Sequence, residues 1–191
     1  MIHAAMEHKC LSPWKGAAAG GLVVFAWSAI SWMALPLHER TVHPLPSGAA
    51  VAAYLAESVP GSGVYFLAND PVGRSTPKNP FIFLAYNTQG WGSMGVSMAL
   101  GLLIQMAGAF FWTWILGKIP GLTFRNSALY GAMFGFCVGV LGAMPNWVWW
   151  KFPFSISFLD VLDAVIAWTA ASIVIAKWCQ APVCRVELRR P

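Results

Sequence analysis

Lys15 and Glu39 enclose a segment with no charged residue, and so do Lys78 and Lys118, and Arg125 and Lys151. A fourth segment, between Lys151 and Lys177, holds only Asp160 and Asp163. These long apolar runs constrain the chain more than any other feature, because a helix of about 20 residues crosses the hydrocarbon core of a bilayer. Inside lipid, only helices and closed barrels satisfy their backbone, and these runs are continuous rather than alternating. The expected fold is an all-α membrane protein, a four-transmembrane-helix bundle with spans at 16–37, 91–117, 128–145 and 154–176. Composition agrees: 58% of residues are hydrophobic and 10% are charged, against about 25% charged in a soluble domain. A soluble enzyme domain, a disordered chain and a disulfide-stapled secreted module are excluded.

The first span is too long for the apolar core of a cleaved signal peptide. Of the basic residues, Lys9, Lys15, Lys118, Arg125, Lys177, Arg185, Arg189 and Arg190 fall on one side of this layout, and Arg40, Arg74, Lys78 and Lys151 on the other. That bias predicts both termini in the cytoplasm. Trp14, Trp112, Trp114 and Trp178 mark one interface, and Trp32, Trp91, Trp147, Trp149 and Trp150 the other. The tails, 1–15 and 177–191, and the loop 118–127 are expected inside, and the aromatic loop 146–153 outside. The net charge of +5 reflects this flanking pattern. With no basic patch on a soluble face, nucleic acid is not an expected partner.

The segment 38–90 is the one soluble piece, expected to be extracytoplasmic and of α+β type. Pro44, Pro46 and Ser47 start a short helix that runs through Glu57. Val64 to Leu67 and Phe81 to Tyr86 read as strands, joined by a long turn from Asn69 to Pro77. The helix is expected to pack on the hairpin. A piece this small, without cysteine, builds little core of its own. It is expected to lean on the bundle, the membrane surface or a partner.

Asp160 and Asp163 are the sharpest chemical feature. Three residues apart, they share a helix face, which Ala164, Ala167 and Ala171 continue. Leu162, Ile166, Thr169 and Ile173 form the face expected to meet lipid. Carboxylates inside a membrane are expensive and mark a functional site by default. One reading is a proton or cation site. The other is a structural role, with the acids hydrated or bonded to Ser, Tyr, Trp or Asn146. Gln105, in mid-span, is expected to hydrogen-bond another helix. Gly131, Gly135 and Gly139 form a doubled G-x-x-x-G that lets a helix approach closely, within the bundle or in a second subunit. Gly16 and Gly20 repeat the pattern weakly.

The metal candidates are weak. His3, His8 and Cys10 lie in the N-terminal tail, where soft ligands suit copper or zinc, but their spacing fits no specific site. Cys179 and Cys184 are too far apart for a C-x-x-C pair. His38 and His43 follow the first span, where a solvated interfacial histidine is the expectation. Cys137 is expected inside span 3, and the cytoplasm argues against disulfides. No P-loop, dinucleotide fingerprint, zincin motif or nucleophile elbow is present. No catalytic residue and no cofactor are therefore expected.

One set of segments carries a resemblance: Phe25-Ala-Trp27-Ser-Ala-Ile-Ser-Trp32-Met-Ala-Leu35-Pro36-Leu-His38, then Pro60 and Gly63-Val64-Tyr65-Phe66, then Trp149-Trp150-Lys-Phe152-Pro153 before Asp163 and Trp168. Together they resemble a family of small bacterial inner-membrane proteins of unknown function. The resemblance implies the same four-span layout with an outer insertion, and brings no activity or site residue with it. The expected function is a non-catalytic accessory or assembly subunit of a larger membrane complex. The alternative is a small proton- or metal-coupled transporter or channel component that uses the intramembrane carboxylates. A membrane enzyme or redox carrier is the weakest reading. The expected partners are the lipid bilayer and a larger membrane protein or a second copy of the chain.

Overall fold

The computed structural model describes residues 13–67 and 80–179. Four long helices dominate: α1 (Pro13–Met33), α3 (Met94–Leu116), α4 (Phe124–Trp149) and α5 (Phe154–Cys179). Each is long and apolar enough to cross a membrane, so the chain is a multi-pass membrane protein. Between α1 and α3 lie a short helix α2 (Gly48–Ser58) and two strands, β1 (Gly63–Leu67) and β2 (Ile82–Tyr86). The strands pair antiparallel, with Tyr65 opposite Leu84.

The helix ends show which local rules won. α1 stops at Met33, short of the expected Leu37. Pro36 cannot donate to a helical turn and pushes Leu35 out of helical geometry. The N–H groups of Ala34 and Leu35 both turn back to the Ile30 carbonyl, at 2.9 and 3.0 Å. α4 begins earlier than expected, because the Thr123 hydroxyl caps it by accepting from the Asn126 N–H. It also runs past Pro145, which was expected to close it. Pro145 lacks only its own N–H, so it removes one helical bond and the helix continues through it, and the Trp150 and Phe152 N–H groups finish the helix on the Asn146 carbonyl. The aromatic loop is correspondingly short, with Asn146 to Trp149 still helical.

The helices pack as an open row rather than a closed square. α4 packs along α5, α5 along α1 and α1 along α3, while α3 and α4 share no extensive contact. Glycine makes two of these seams. A Cβ on Gly139 would sit 2.7 Å from the Val161 Cα, one on Gly135 would press on the Ala164 carbonyl and lie 2.8 Å from the Val165 Cα, and one on Gly131 would meet Ser172 and lie 2.6 Å from the Trp168 carbonyl oxygen. All three glycines thus face α5 within the chain. Gly16, Gly20 and Gly21 do the same for α1, against Thr113, Ile175 and Met106. The core follows α5: Ala167, Ala171, Ile175 and Ala176 are buried with Ala109, Trp112 and Leu116 of α3. Leu162, Ile166 and Ile173 are exposed on the opposite side of α5, as expected of a lipid-facing surface.

The insertion departs from expectation in one respect. α2 has no buried residue and makes no extensive contact with the hairpin or with any other element. Its alanine-rich surface offers little apolar area to bury. The hairpin does lean on the bundle. Phe83 of β2 packs on Trp150 and Phe152 of the α4–α5 loop, with ring centroids 4.7 and 6.2 Å apart.

Candidate functional site

The site lies at the hairpin end of the bundle. Trp27 and Ser31 are four residues apart on α1, so their side chains lie on one helix face. That face meets α5 at Asp163. The Trp27 indole N–H donates to Asp163 Oδ1 at 3.1 Å, and the Ser31 hydroxyl lies 2.7 Å from Oδ2 and 2.8 Å from Oδ1. Ser31 is fully buried. Its hydroxyl carries one hydrogen and cannot donate fully to both oxygens. If Asp163 is protonated, the acid donates to Ser31 through the same contact, so the pair accepts either state of the acid without moving.

His38 completes the group. The chain beyond α1 folds back over the bundle end, fixed by the Thr41 and Val42 N–H groups and the Thr41 hydroxyl, all bonded to the His38 carbonyl. The imidazole is thereby tucked under Trp32, stacked on its indole with centroids 3.9 Å apart. His38 is only 3% exposed, which corrects the expectation of a solvated histidine. Its Nε2 lies 3.5 Å from Asp163 Oδ2 and 3.8 Å from Asp160 Oδ1. Its Nδ1 lies 3.4 Å from the Ser31 carbonyl oxygen. That oxygen can only accept, so the contact is a hydrogen bond in the forms of the ring that carry a hydrogen on Nδ1. In the neutral ring of that tautomer, Nε2 turns a lone pair toward two carboxylates. In the other tautomer, Nε2 carries a hydrogen toward them.

Nε2 is buried without a hydrogen-bond partner, and so is the Ser157 hydroxyl, one turn before Asp160 on α5. Buried polar atoms in native proteins are nearly always satisfied, and exceptions call for an explanation. Asp160 remains 37% exposed and Asp163 19%. Both border a cavity of about 440 Å³ that also reaches Gln105, Trp32, Trp168 and Phe134.

The other expected site residues fall elsewhere or do less. Gln105 borders the cavity, and among the described residues it makes no hydrogen bond to another helix, in contrast to the expectation. Asn146 acts through its backbone carbonyl at the α4 terminus, not on the aspartates. His43 is exposed and apart from His38. Cys137 is exposed, and Cys179 is buried with its thiol 3.9 Å from the Thr113 carbonyl. His3, His8, Cys10 and Cys184 lie outside the described residues. No group of three or more His, Cys, Asp or Glu able to hold a metal is found among the described residues.

Sequence reasoning missed Trp27 and Ser31, and took His38, one of its weak metal candidates, for a solvated histidine. Two signals pointed to the site. Trp27 and Ser31 are hydrogen-bond donors one turn apart on an otherwise apolar helix, and Pro36 forces a turn just before His38. No family model, no curated protein and no solved structure matches the chain, so the geometry alone carries the functional argument.

Proposed function

We propose that this protein is a small proton-coupled transporter, or the proton-binding component of one, with His38, Asp160 and Asp163 as its exchangeable-proton site. One observation carries this reading. A buried imidazole sets its Nε2 3.5 Å from one carboxylate and 3.8 Å from another, so three groups able to pass a proton are gathered at one place. Ionisable groups inside a membrane bundle mark proton and ion pathways. The half-exposed Asp160 connects the cluster to the cavity, and Ser31 tolerates either state of Asp163. The bias of basic residues supports a bacterial cytoplasmic membrane with both termini inside. The hairpin end would then face outward, and the cluster would take protons from that side.

The test is proton uptake by the purified chain in detergent, followed with an indicator dye through a pH jump across neutrality. The wild type should take up at least one proton per chain in excess of His38→Gln and of Asp163→Asn. Equal uptake by all three would sink the proposal.

A second reading, an accessory subunit of a larger membrane complex, is favoured by α2, a helix whose Val51 and Tyr54 are exposed and which no element covers. It requires co-purification with a larger protein at fixed stoichiometry, lost when α2 is replaced by a Gly/Ser linker.

A further inference from the structure

α3 and α4 follow each other in the chain but do not pack along their length. They meet where Trp112 stacks on Phe134, at 4.2 Å and 8°. Toward the hairpin end they part, and the cavity of about 440 Å³ fills the gap, with Ile104 and Gly108 on the α3 side and Phe134 and Val138 on the α4 side. Ile104 is exposed on the outer surface of the bundle. The crevice is therefore reached sideways, from where lipid would lie, and it ends at the carboxylates.

The lining is chemically one-sided. Asp160 and Asp163 border it, and among the described residues no Lys or Arg does. The oxygens of Asp163 are already engaged by Trp27 and Ser31, whereas among the described residues Asp160 has only His38, at 3.8 Å. Most of the remaining surface is apolar or aromatic, and Trp32, Phe134 and Trp168 contribute ring surface. Aromatic faces attract cations, and a carboxylate only accepts hydrogen bonds when ionised. An anion would meet two acids, and the absence of a three-ligand cluster among the described residues disfavours a bare metal ion. The volume lies within the usual range for small-molecule sites, about 300–1,000 Å³.

We infer that this crevice binds a lipophilic organic cation, an amine or quaternary ammonium on an apolar body, which enters between α3 and α4 and sets its positive charge against Asp160. The imidazole Nε2 of His38, 3.8 Å from Asp160 Oδ1, ties this site to the proton site: a cation arriving at Asp160 and a proton shared with His38 compete for one negative charge. The inference rests on the proton-site reading and supplies its substrate class.

The experiment titrates the detergent-purified full chain with benzyltrimethylammonium and, separately, with neopentylbenzene, which has the same shape and no charge, by tryptophan fluorescence and calorimetry. The cation should bind saturably and release protons at neutral pH, and the neutral molecule should bind at least tenfold more weakly. Asp160→Asn should weaken cation binding at least tenfold. Ile104→Trp, which narrows the mouth, should weaken it several-fold. Equal binding of the two probes, or Asp160→Asn binding like the wild type, would overturn the inference. Proton uptake that depends on His38, with no cation binding, would overturn the substrate class and leave the proton site standing. Cation binding without such uptake would refute the proton site and, with it, the competition described here.

Discussion

The two ends of the bundle treat buried polar groups in opposite ways. At the end away from the hairpin, the Trp112 N–H donates to the Ser172 hydroxyl at 2.7 Å, the Ser127 hydroxyl to the Ser172 carbonyl at 2.6 Å, and the Thr113 hydroxyl to the Ala109 carbonyl at 2.7 Å. Trp112, Thr113, Ser127 and Ser172 are all buried. At the hairpin end, the two carboxylates, the imidazole and Ser157 include both orphaned side-chain atoms found among the described residues. Satisfied polar contacts between membrane helices are modest glue, averaging about 0.6 kcal/mol. Unsatisfied ones call for an explanation, and the proton site proposed above offers one. Under that reading, one end of the same helices exchanges protons and the other holds the frame.

The strongest way to break this comparison is to destroy the frame that holds both ends. Gly135→Leu forces a branched side chain onto the Ala164–Val165 backbone, where backbone cannot give way as a flexible side chain would. Overpacking of this kind costs about 1–3 kcal/mol or more. The variant should lose most of its monodisperse peak in size-exclusion chromatography, and a wild-type thermal midpoint would show that α4 does not seat on α5 as described.

Asp163 separates the ends more selectively. Asp163→Leu leaves the Trp27 N–H and the Ser31 hydroxyl without their acceptor, and an unsatisfied buried group costs about 1–3 kcal/mol. Asp163→Asn keeps an amide oxygen for one of them. The leucine variant should melt well below the wild type, and the asparagine variant close to it. If both melt alike, the carboxylate is not bonded across the α1–α5 seam.

Ser172→Ala is the mildest change, and it sharpens the contrast. It removes the acceptor of the Trp112 indole and should lower stability by about 0.6 kcal/mol, while proton uptake stays unchanged. A large loss of uptake would mean that the two ends are coupled rather than separate.

Much of the frame was legible from local pattern. Three uncharged runs and a fourth broken only by Asp160 and Asp163 gave four helices, the small-residue face of α5 gave its buried side, and the turn residues around two β-rich segments gave the hairpin. The glycines of α4 announced a close seam, though not which helix would fill it. What stayed hidden depended on contacts between distant parts of the chain. His38 looks like any histidine after a span, and only the fold-back beyond Pro36 carries it beneath Trp32 and against α5. Gln105, expected to bond another helix, lies beside a cavity because α3 and α4 part there. Pro145 marks a missing helical N–H rather than a helix end, and α4 continues through it.

The position of α5 in the row bears on how the chain is made. It is synthesised after the other three spans, yet it is the helix that joins α4 to α1. A central aspartate costs roughly 2.5–3.5 kcal/mol when a lone helix enters the bilayer, and α5 brings two such residues. The acceptors of Asp163 find their donors on α1, where Trp27 and Ser31 have been waiting since the first span was inserted. During biogenesis, α1 therefore has to stay near the site of insertion until α5 emerges, and α5 enters the membrane as half of a pair.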